Sequence, residues 1–329
     1  TNAKAMPTEQ MSRYFHIASI EAGLPFVLIS RAEKSVEASM EIQRNPMLFA
    51  FALVTAALAP QGTDTTIAVR GATRLEVSST EGEITVLTWS RSTVRIAADH
   101  DDDTRIEVDQ GGGTIRLRAR SRYGPAQASW RLTVPADLGL DLSSQSGDVR
   151  VSGAKGEVSV ATVEGNITVQ GGGGFISLQS VDGDVALSGT GGRIEVSTVD
   201  GKIEVRRANG DIKANAVDGD ILLEDIESSE VEATTVNGDI AYSGAVRARG
   251  RYSLSSHDGD VTVTAPSINA DVTVSTFSGD FESDYPVTLA GAQNRGRMHF
   301  TLGSGGARLD LESFDGTVSL RKGSGARKP

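Results

Sequence analysis

The amino-acid sequence predicts an all-β solenoid, a flattened β-helix in which each coil is one repeat of 18 to 21 residues. Three observations lead there: a glycine recurring at nearly constant spacing, apolar residues at fixed alternating offsets around it, and turn residues just before it. The glycines are Gly147, Gly165, Gly183, Gly201, Gly219, Gly238, Gly259 and Gly279, separated by 18 residues four times in succession and then by 19 to 21. Gly82 and Gly316 stand in the same local setting. A repeat of this length is one supersecondary unit that buries its apolar face only by stacking on its neighbours.

Each coil contributes two strands. Two and four residues after the glycine stand pairs such as Ile167 and Val169, Val185 and Leu187, Ile203 and Val205, Val261 and Val263. Seven and five residues before it stand Val158 and Val160, Ile176 and Leu178, Ile194 and Val196, Leu309 and Leu311. Alternation at period two marks a strand with one buried face. The two sets predict opposite walls of a narrow β-helix whose coils stack at about 4.8 Å.

The corner between the walls has its own chemistry. Val-Asp-Gly at 181–183, 199–201 and 217–219, and Val-Asn-Gly at 236–238, place Asp or Asn before Gly, a pair that tolerates positive φ in a tight turn. Phe277, Phe314 and His257 replace the valine in later repeats. Three residues before the glycine runs a column of Ser144, Thr162, Ser180, Thr198, Thr235, Ser256, Thr276 and Ser313, broken at Ala216. Small hydroxyl side chains stacked coil on coil bond nearby backbone, so the column reads as a corner ladder and not as a row of nucleophiles.

The ends are less regular. Residues 47–59, MLFAFALVTAALA, form a short apolar run after Arg44 and before a polar Pro-Gln-Gly-Thr. That is the layout of a secretory signal peptide over 40–59, too short for a comfortable membrane span; a buried or amphipathic helix is the alternative. Residues 1–39 then read as an upstream or disordered extension, and the mature chain is expected to carry no integral membrane segment. The solenoid is expected over 60–321 as one domain, with an irregular cap and first coils at 60–142, regular repeats at 143–281, and C-terminal coils and cap at 282–321. The Gly/Ser/Arg/Lys tail at 322–329 reads as disordered.

Composition narrows the function. Aromatic residues make up 5% and glycine numbers 37 of 329, as a thin aliphatic core with many turns requires. The formal charge of −11 excludes a phosphate-binding surface and hence nucleic acid as partner. Arg247, Arg249 and Arg251 read as a solvated strand face. Without cysteine the chain has no disulfide and no thiolate metal site.

The acids are periodic too. Asp182 and Asp184, Asp200, Asp218 and Asp220, Asp239, Asp258 and Asp260, and Asp280 fall at the same turn of successive coils, as turn chemistry predicts, whereas a catalytic pair would break the repeat. The histidines His16, His100, His257 and His299 show no metal spacing. Like charges about 5 Å apart repel by roughly 0.8 kcal/mol in water. Asn166 and Lys202 interrupt the column, but Asp218, Asp220, Asp239, Asp258 and Asp260 follow without relief and are the candidate oxygen ligands for Ca²⁺. The alternative is a set of exposed, salt-screened turn acids. No other cofactor is expected.

The succession of Ser/Thr-Val-Asp/Asn-Gly-Asp-Ile/Val-x-Val repeats, entered through Arg131-Leu132-Thr133-Val134-Pro135, resembles the DUF4097 family of bacterial "putative adhesins", related to the DUF2807 head domains, over roughly residues 63–321. The resemblance implies a right-handed, single-domain β-helix exported to the cell envelope, with no catalytic motif to carry over. The expectation is therefore an exported, non-enzymatic solenoid in the periplasm, at the cell surface or outside the cell. It would serve as an adhesin or envelope scaffold for a glycan, a cell-wall polymer or an envelope protein. The competing classes are a carbohydrate-active β-helix enzyme, which needs an irregular acidic or basic cluster on one wall, and an envelope-stress or signalling protein, which needs an exposed apolar patch or an open solenoid end.

Overall fold

In a computed structural model of the chain, residues 62–287 and 296–323 are described, so the expected signal peptide and the segment before it lie outside the described residues. Among the described residues every regular element is a strand. The N-terminal part supplies β1 (Gly62–Ala68), β2 (Arg74–Glu81), β3 (Ile84–Trp89), β4 (Thr93–His100), β5 (Thr104–Gly111), β6 (Thr114–Ser121) and β7 (Ala128–Pro135). The regular repeats supply β8 (Gly139–Ser146), β9 (Val149–Ala154), β10 (Val158–Glu164), β11 (Ile167–Gly171), β12 (Phe175–Asp182), β13 (Val185–Thr190), β14 (Arg193–Ser197) and β15 (Ile203–Ala208). They continue through β16 (Asp211–Asn215), β17 (Ile221–Ile226), β18 (Glu230–Asn237), β19 (Ile240–Gly244), β20 (Arg251–Asp258) and β21 (Val261–Ala265). The chain closes with β22 (Ala270–Thr276), β23 (Phe281–Ser283), β24 (Arg297–Leu302), β25 (Ala307–Asp315) and β26 (Val318–Lys322).

The strands form two 13-stranded sheets. From β8 to β21 the chain alternates between them, even-numbered strands in one and odd-numbered in the other, and each strand as far as β19 pairs in parallel with the strand two ahead. The apolar pairs foreseen at fixed offsets face each other between the sheets: Ile203 and Val205 from one wall and Ile194 and Val196 from the other are at most 1% exposed. At ~25 cal/mol per Å² of apolar area removed from water, this continuous seam is the main favourable term in the fold.

The corner glycine holds the coils in register. Its N–H donates to the carbonyl of the residue before the next coil's glycine, as from Gly165 to Asp182 (2.9 Å) and from Gly183 to Asp200 (2.9 Å). Its own carbonyl lies against the next glycine's Cα. A Cβ on Gly183 would stand 2.3 Å from the Gly165 carbonyl oxygen, at a φ of +148° that is open in practice only to glycine. The same carbonyl accepts the hydroxyl of the following coil: Ser180 to Gly165 (3.3 Å), Thr198 to Gly183 (3.2 Å), Thr235 to Gly219 (3.0 Å), Ser256 to Gly238 (2.8 Å) and Ser313 to Gly259 (2.8 Å). These hydroxyls are buried, which makes the column a structural ladder. Ala216 leaves the Gly201 carbonyl without that donor.

Spatial order departs from chain order at both ends. The β2–β3 coil lies directly against β8 and β9, so Gly82 stacks on Gly147 although 65 residues separate them in sequence. The intervening segment and the preceding β1 fold outside that coil: β7 pairs with β3 in parallel, β4 with β7 and β1 with β4 antiparallel, and β6 with β2 in parallel before β5 closes antiparallel on β6. At the other end β25 and β26 insert between the β20–β21 and β22–β23 coils, and β24 lies antiparallel on β22. Hence Gly316 stacks on Gly259, and Gly279 on Gly316. The caps also hold large rings: Trp130 of β7 is 1% exposed, and buried Phe300 of β24 meets Phe281 at 5.4 Å. Charges on the outermost strands, such as Arg105, Glu107 and Asp109 of β5, discourage further edge pairing.

One coil is widened. The segment between β19 and β20 carries Arg247 and Arg249 on a turn, leaving only Arg251 on a strand, so the arginine run is not the strand face read from the sequence; the extra residues of the longest repeat bulge out there. Two tyrosines fill the widened interior, their rings 5.6 Å apart and edge to face. Tyr252 donates to the Ser228 carbonyl (2.8 Å) and accepts from the Arg247 N–H (2.8 Å), while Tyr242 donates to the Ala245 carbonyl (3.0 Å). Burial pushes both phenols above the ordinary tyrosine range.

Three outcomes follow from this geometry. Gly183→Ala combines a carbonyl clash with a glycine-only φ and is expected to lose at least about 2 kcal/mol in urea unfolding. Ala216→Ser supplies the missing donor to Gly201 and is expected to raise stability by about 0.5 to 1.5 kcal/mol, read as a higher melting temperature. Because the folded chain holds the two phenolic protons that the unfolded chain releases near pH 10, stability is full below about pH 10 and falls as pH rises beyond it. Tyr242→Phe should flatten that alkaline decline in pH-dependent denaturation.

Candidate functional site

With the residues seven, five and three before the glycine pointing inward, those six, four and two before it must point outward. The outward face of the second sheet therefore carries three columns. The column two before the glycine is continuous and apolar except at His257. In spatial order it runs Val163, Val181, Val199, Val217, Val236, His257, Phe314 and Phe277. Val163, Val199, Val217 and Val236 are 43 to 48% exposed and Phe277 is 78% exposed. At one end the rings stack, His257 on Phe314 and Phe314 on Phe277, each pair with centroids 4.7 Å apart. The next column inward is polar and mostly uncharged, including Gln179, Ser197, Asn215, Thr234 and Ser255.

Acids flank this rail on the corner side. The residue before the glycine is Glu164, Asp182, Asp200, Asp218, Asn237, Asp258 and Asp315 in successive coils, and the residue after it is Asp148, Asn166, Asp184, Lys202, Asp220, Asp239, Asp260 and Thr317. The second column is a hydrogen-bonded ladder. Each Oδ1 accepts the backbone N–H of the same position one coil on: Asp148 from Asn166 (2.9 Å), Asn166 from Asp184 (2.9 Å), Asp184 from Lys202 (2.8 Å), Asp220 from Asp239 (2.9 Å), Asp239 from Asp260 (2.8 Å) and Asp260 from Thr317 (2.7 Å). Lys202, which has no acceptor, breaks it once. A carboxylate that accepts a backbone N–H forms a charge-assisted bond that offsets the repulsion along the column.

The structure thus divides the five Ca²⁺ candidates between two columns. Asp220, Asp239 and Asp260 lie in the ladder with one oxygen already engaged, and Asp218 and Asp258 lie in the column before the glycine. Among the described residues no group of three or more His, Asp or Glu is placed to hold a metal ion. The only ion pair either column forms among the described residues is Asp148 with Arg150 (2.8 Å), so the carboxylates beside the valine rail stand without a cation partner. The valine rail itself was visible in the sequence only as turn punctuation. The signal that would have revealed it is the alternation: a position next to an inward-facing hydroxyl must face out.

A depression of about 450 Å³ opens at the N-terminal end and is lined by residues including Glu81, Asp99, His100, Asp101 and Gln127. Its polar groups bond one another. His100 donates through Nδ1 to the Asp101 carbonyl (2.9 Å), its Nε2 meets the Thr63 hydroxyl (3.0 Å), and Gln127 donates to Glu81 (2.7 Å). His257 lies in the rail on β20 and His299 on β24, three strands along the same sheet, while His16 lies outside the described residues. Among the described residues no helix is long and apolar enough to cross a membrane.

Several solved structures are similar in outline. One is a "putative adhesin" from Parabacteroides distasonis, 12% identical, covering 79% of this chain and 97% of that one with a TM-score of 0.45. Another is a "putative adhesin" from Bacteroides fragilis, 13% identical, covering 80% and 98% with a TM-score of 0.41. A third is a "putative lipid binding protein" from Parabacteroides distasonis, 9% identical, covering 79% and 96% with a TM-score of 0.38. No curated protein matches the sequence. The family described as Toastrack DUF4097 matches residues 136–241 and 212–321, which together span more than half of the chain and take in the regular coils and the inserted C-terminal coil. The chain belongs to the Toastrack DUF4097 family.

Proposed function

We propose that this chain is an exported, non-catalytic binding scaffold, an adhesin-like solenoid that displays one repeated wall to a partner at the cell envelope. The observation that carries the reading is the regularity of that wall: the rail, the polar column beside it and the acids at the corner recur coil after coil from Val163 to Phe277. A repeated wall suits an extended or repetitive ligand. An enzyme of this fold class would interrupt the repeat with a group of unlike acids and bases. Export is supported by the apolar run before residue 60 and its polar flank.

A second reading, a partner that is itself a protein, is favoured by one specific observation. The rail is continuous, largely exposed and apolar except at His257, which is the character of a protein-contact surface. A glycan-binding wall would instead place its hydrogen-bonding groups at the most exposed column.

The test is binding of the purified chain to an array of glycans and cell-wall polymers, with Ca²⁺ and with chelator, while the same polymers are assayed for cleavage. Saturable binding without cleavage is expected, and equally so in chelator because the ladder aspartates already accept backbone N–H groups. Cleavage products would overturn the non-catalytic reading. Binding that required Ca²⁺ would assign Asp218, Asp220, Asp239, Asp258 and Asp260 to a cation site.

A further inference from the structure

The valine rail is not required by the core. Its side chains lie on the outer side of the second sheet, while the seam between the sheets is filled by the alternate residues. It runs from Val163 through Val199 and Val236 to the stacked Phe314 and Phe277, one residue per coil, for about 34 Å at the usual strand spacing. Carboxylates without an ion-pair partner among the described residues border it on one side, and on the other a column mostly of amides and hydroxyls, with Ala161 at one end and Glu312 near the other.

From this combination we infer that the rail is a docking surface for a basic amphipathic α-helix of a partner polypeptide. The inference rests on reading the chain as a non-catalytic binding scaffold. A helix spanning about 34 Å has about 22 residues at 1.5 Å each. Lys or Arg spaced three and four residues apart along one edge of such a helix recur every ~5.4 Å turn, close to the ~4.8 Å step of the acid column. The helix's apolar stripe can then lie on the valines while its cationic edge meets Asp182, Asp200 and Asp218, recognition of an amphipathic helix through its apolar face with charge setting orientation.

Charge also disfavours the other occupants. A second copy would bring its own acid columns against these, in a chain that already carries a formal charge of −11. An anionic bilayer is repelled in the same way. A sugar polymer finds stacked rings only at one end of the rail and lies against apolar valine side chains along the rest of it.

The experiment uses the full chain and a labelled 22-residue Lys/Leu peptide with leucines at helical spacing, followed by fluorescence anisotropy. Controls are the same peptide with Glu for Lys, a scramble of equal composition without the apolar stripe, and phosphatidylglycerol vesicles. The Lys/Leu peptide is expected to bind saturably and gain helix by circular dichroism. The scramble should bind at least tenfold more weakly and the Glu peptide not at all. Val199→Lys with Val236→Lys should weaken binding at least tenfold, whereas Thr168→Lys with Ala241→Lys, adding the same charge to the outer face of the first sheet, should change it less than twofold. Phe277→Ala, at a position 78% exposed, keeps the test open if the rail pair fails to fold, and should weaken binding about fivefold.

Equal binding of scramble and amphipathic peptide, or equal losses from both lysine pairs, would reduce the effect to general charge attraction and overturn the inference. Preferential binding to vesicles, or self-association abolished by the rail variants, would assign the rail to lipid or to a second copy and overturn it as well. If array binding to cell-wall polymers survives in the rail variants while the peptide does not bind, this inference falls and the scaffold reading stands. Polymer cleavage would sink the scaffold reading instead.

Discussion

The close approach of one corner glycine to the next underlies the rest of this structure. Where the Gly165 carbonyl presses on Gly183, there is no room for a side chain, and the backbone takes a φ that other residues resist. That contact brings each coil to the strand spacing of its neighbour and sets which residue faces which. It also aims the glycine carbonyl at the hydroxyl of the following coil, so Ser180, Thr198, Thr235, Ser256 and Ser313 share one bond geometry. Once the corner is in register, side chains at equal offsets form columns: apolar seams inside, and the valine rail and aspartate ladder outside.

A stack built this way has two open ends, each exposing apolar side chains and unpaired strand edges. Both are closed by the same device. A coil distant in sequence inserts one place inward, and an antiparallel excursion of the chain covers what remains. At the N-terminal end β4 and β7 carry the excursion and Trp130 closes the core; at the C-terminal end β24 does so with Phe300. The insertion ties residues near 82 to residues near 147, and residues near 259 to those near 316, so neither end coil can fray without breaking contacts to the regular stack. Few rings are needed in the body of the solenoid because most of its coils present aliphatic residues of similar size. The exception is the widened coil, where Tyr242 and Tyr252 fill the space and satisfy the backbone of the bulge.

The outer face combines features that serve different ends. The aspartates after the glycine have a structural part to play, Asp148, Asp184, Asp220, Asp239 and Asp260 each accepting a backbone N–H of the next coil. The valines and phenylalanines two before the glycine lie outside the core seam and have no such structural partner, which is why they and not the ladder aspartates carry the functional reading. The acids before the glycine give the rail its electrostatic character. Ion pairs form on the sheet faces elsewhere, such as Lys213 with Glu232 (3.0 Å) and Arg206 with Glu224 (2.8 Å), whereas among the described residues the acids before the glycine form none.

The sequence by itself determined the solenoid, its repeat length, its two walls and the inward residues, because a glycine-only corner and period-two burial act locally and leave their mark at every coil. It also marked the hydroxyl column and its gap at Ala216. The membership of Gly82 and Gly316 in the repeat was legible, but their place in the stack was not: the residues of an inserted coil are the same as those of a terminal one, and only long-range strand pairing decides which neighbour they meet. The role of Asp220, Asp239 and Asp260 was likewise undecided, since a carboxylate every coil suits a cation or a backbone N–H equally until the distances between coils are known. Tertiary structure placed the inserted coils and gave Asp220, Asp239 and Asp260 a backbone N–H to accept, through contacts between residues far apart in the chain, and it alone showed that the valines before each turn join into one exposed rail.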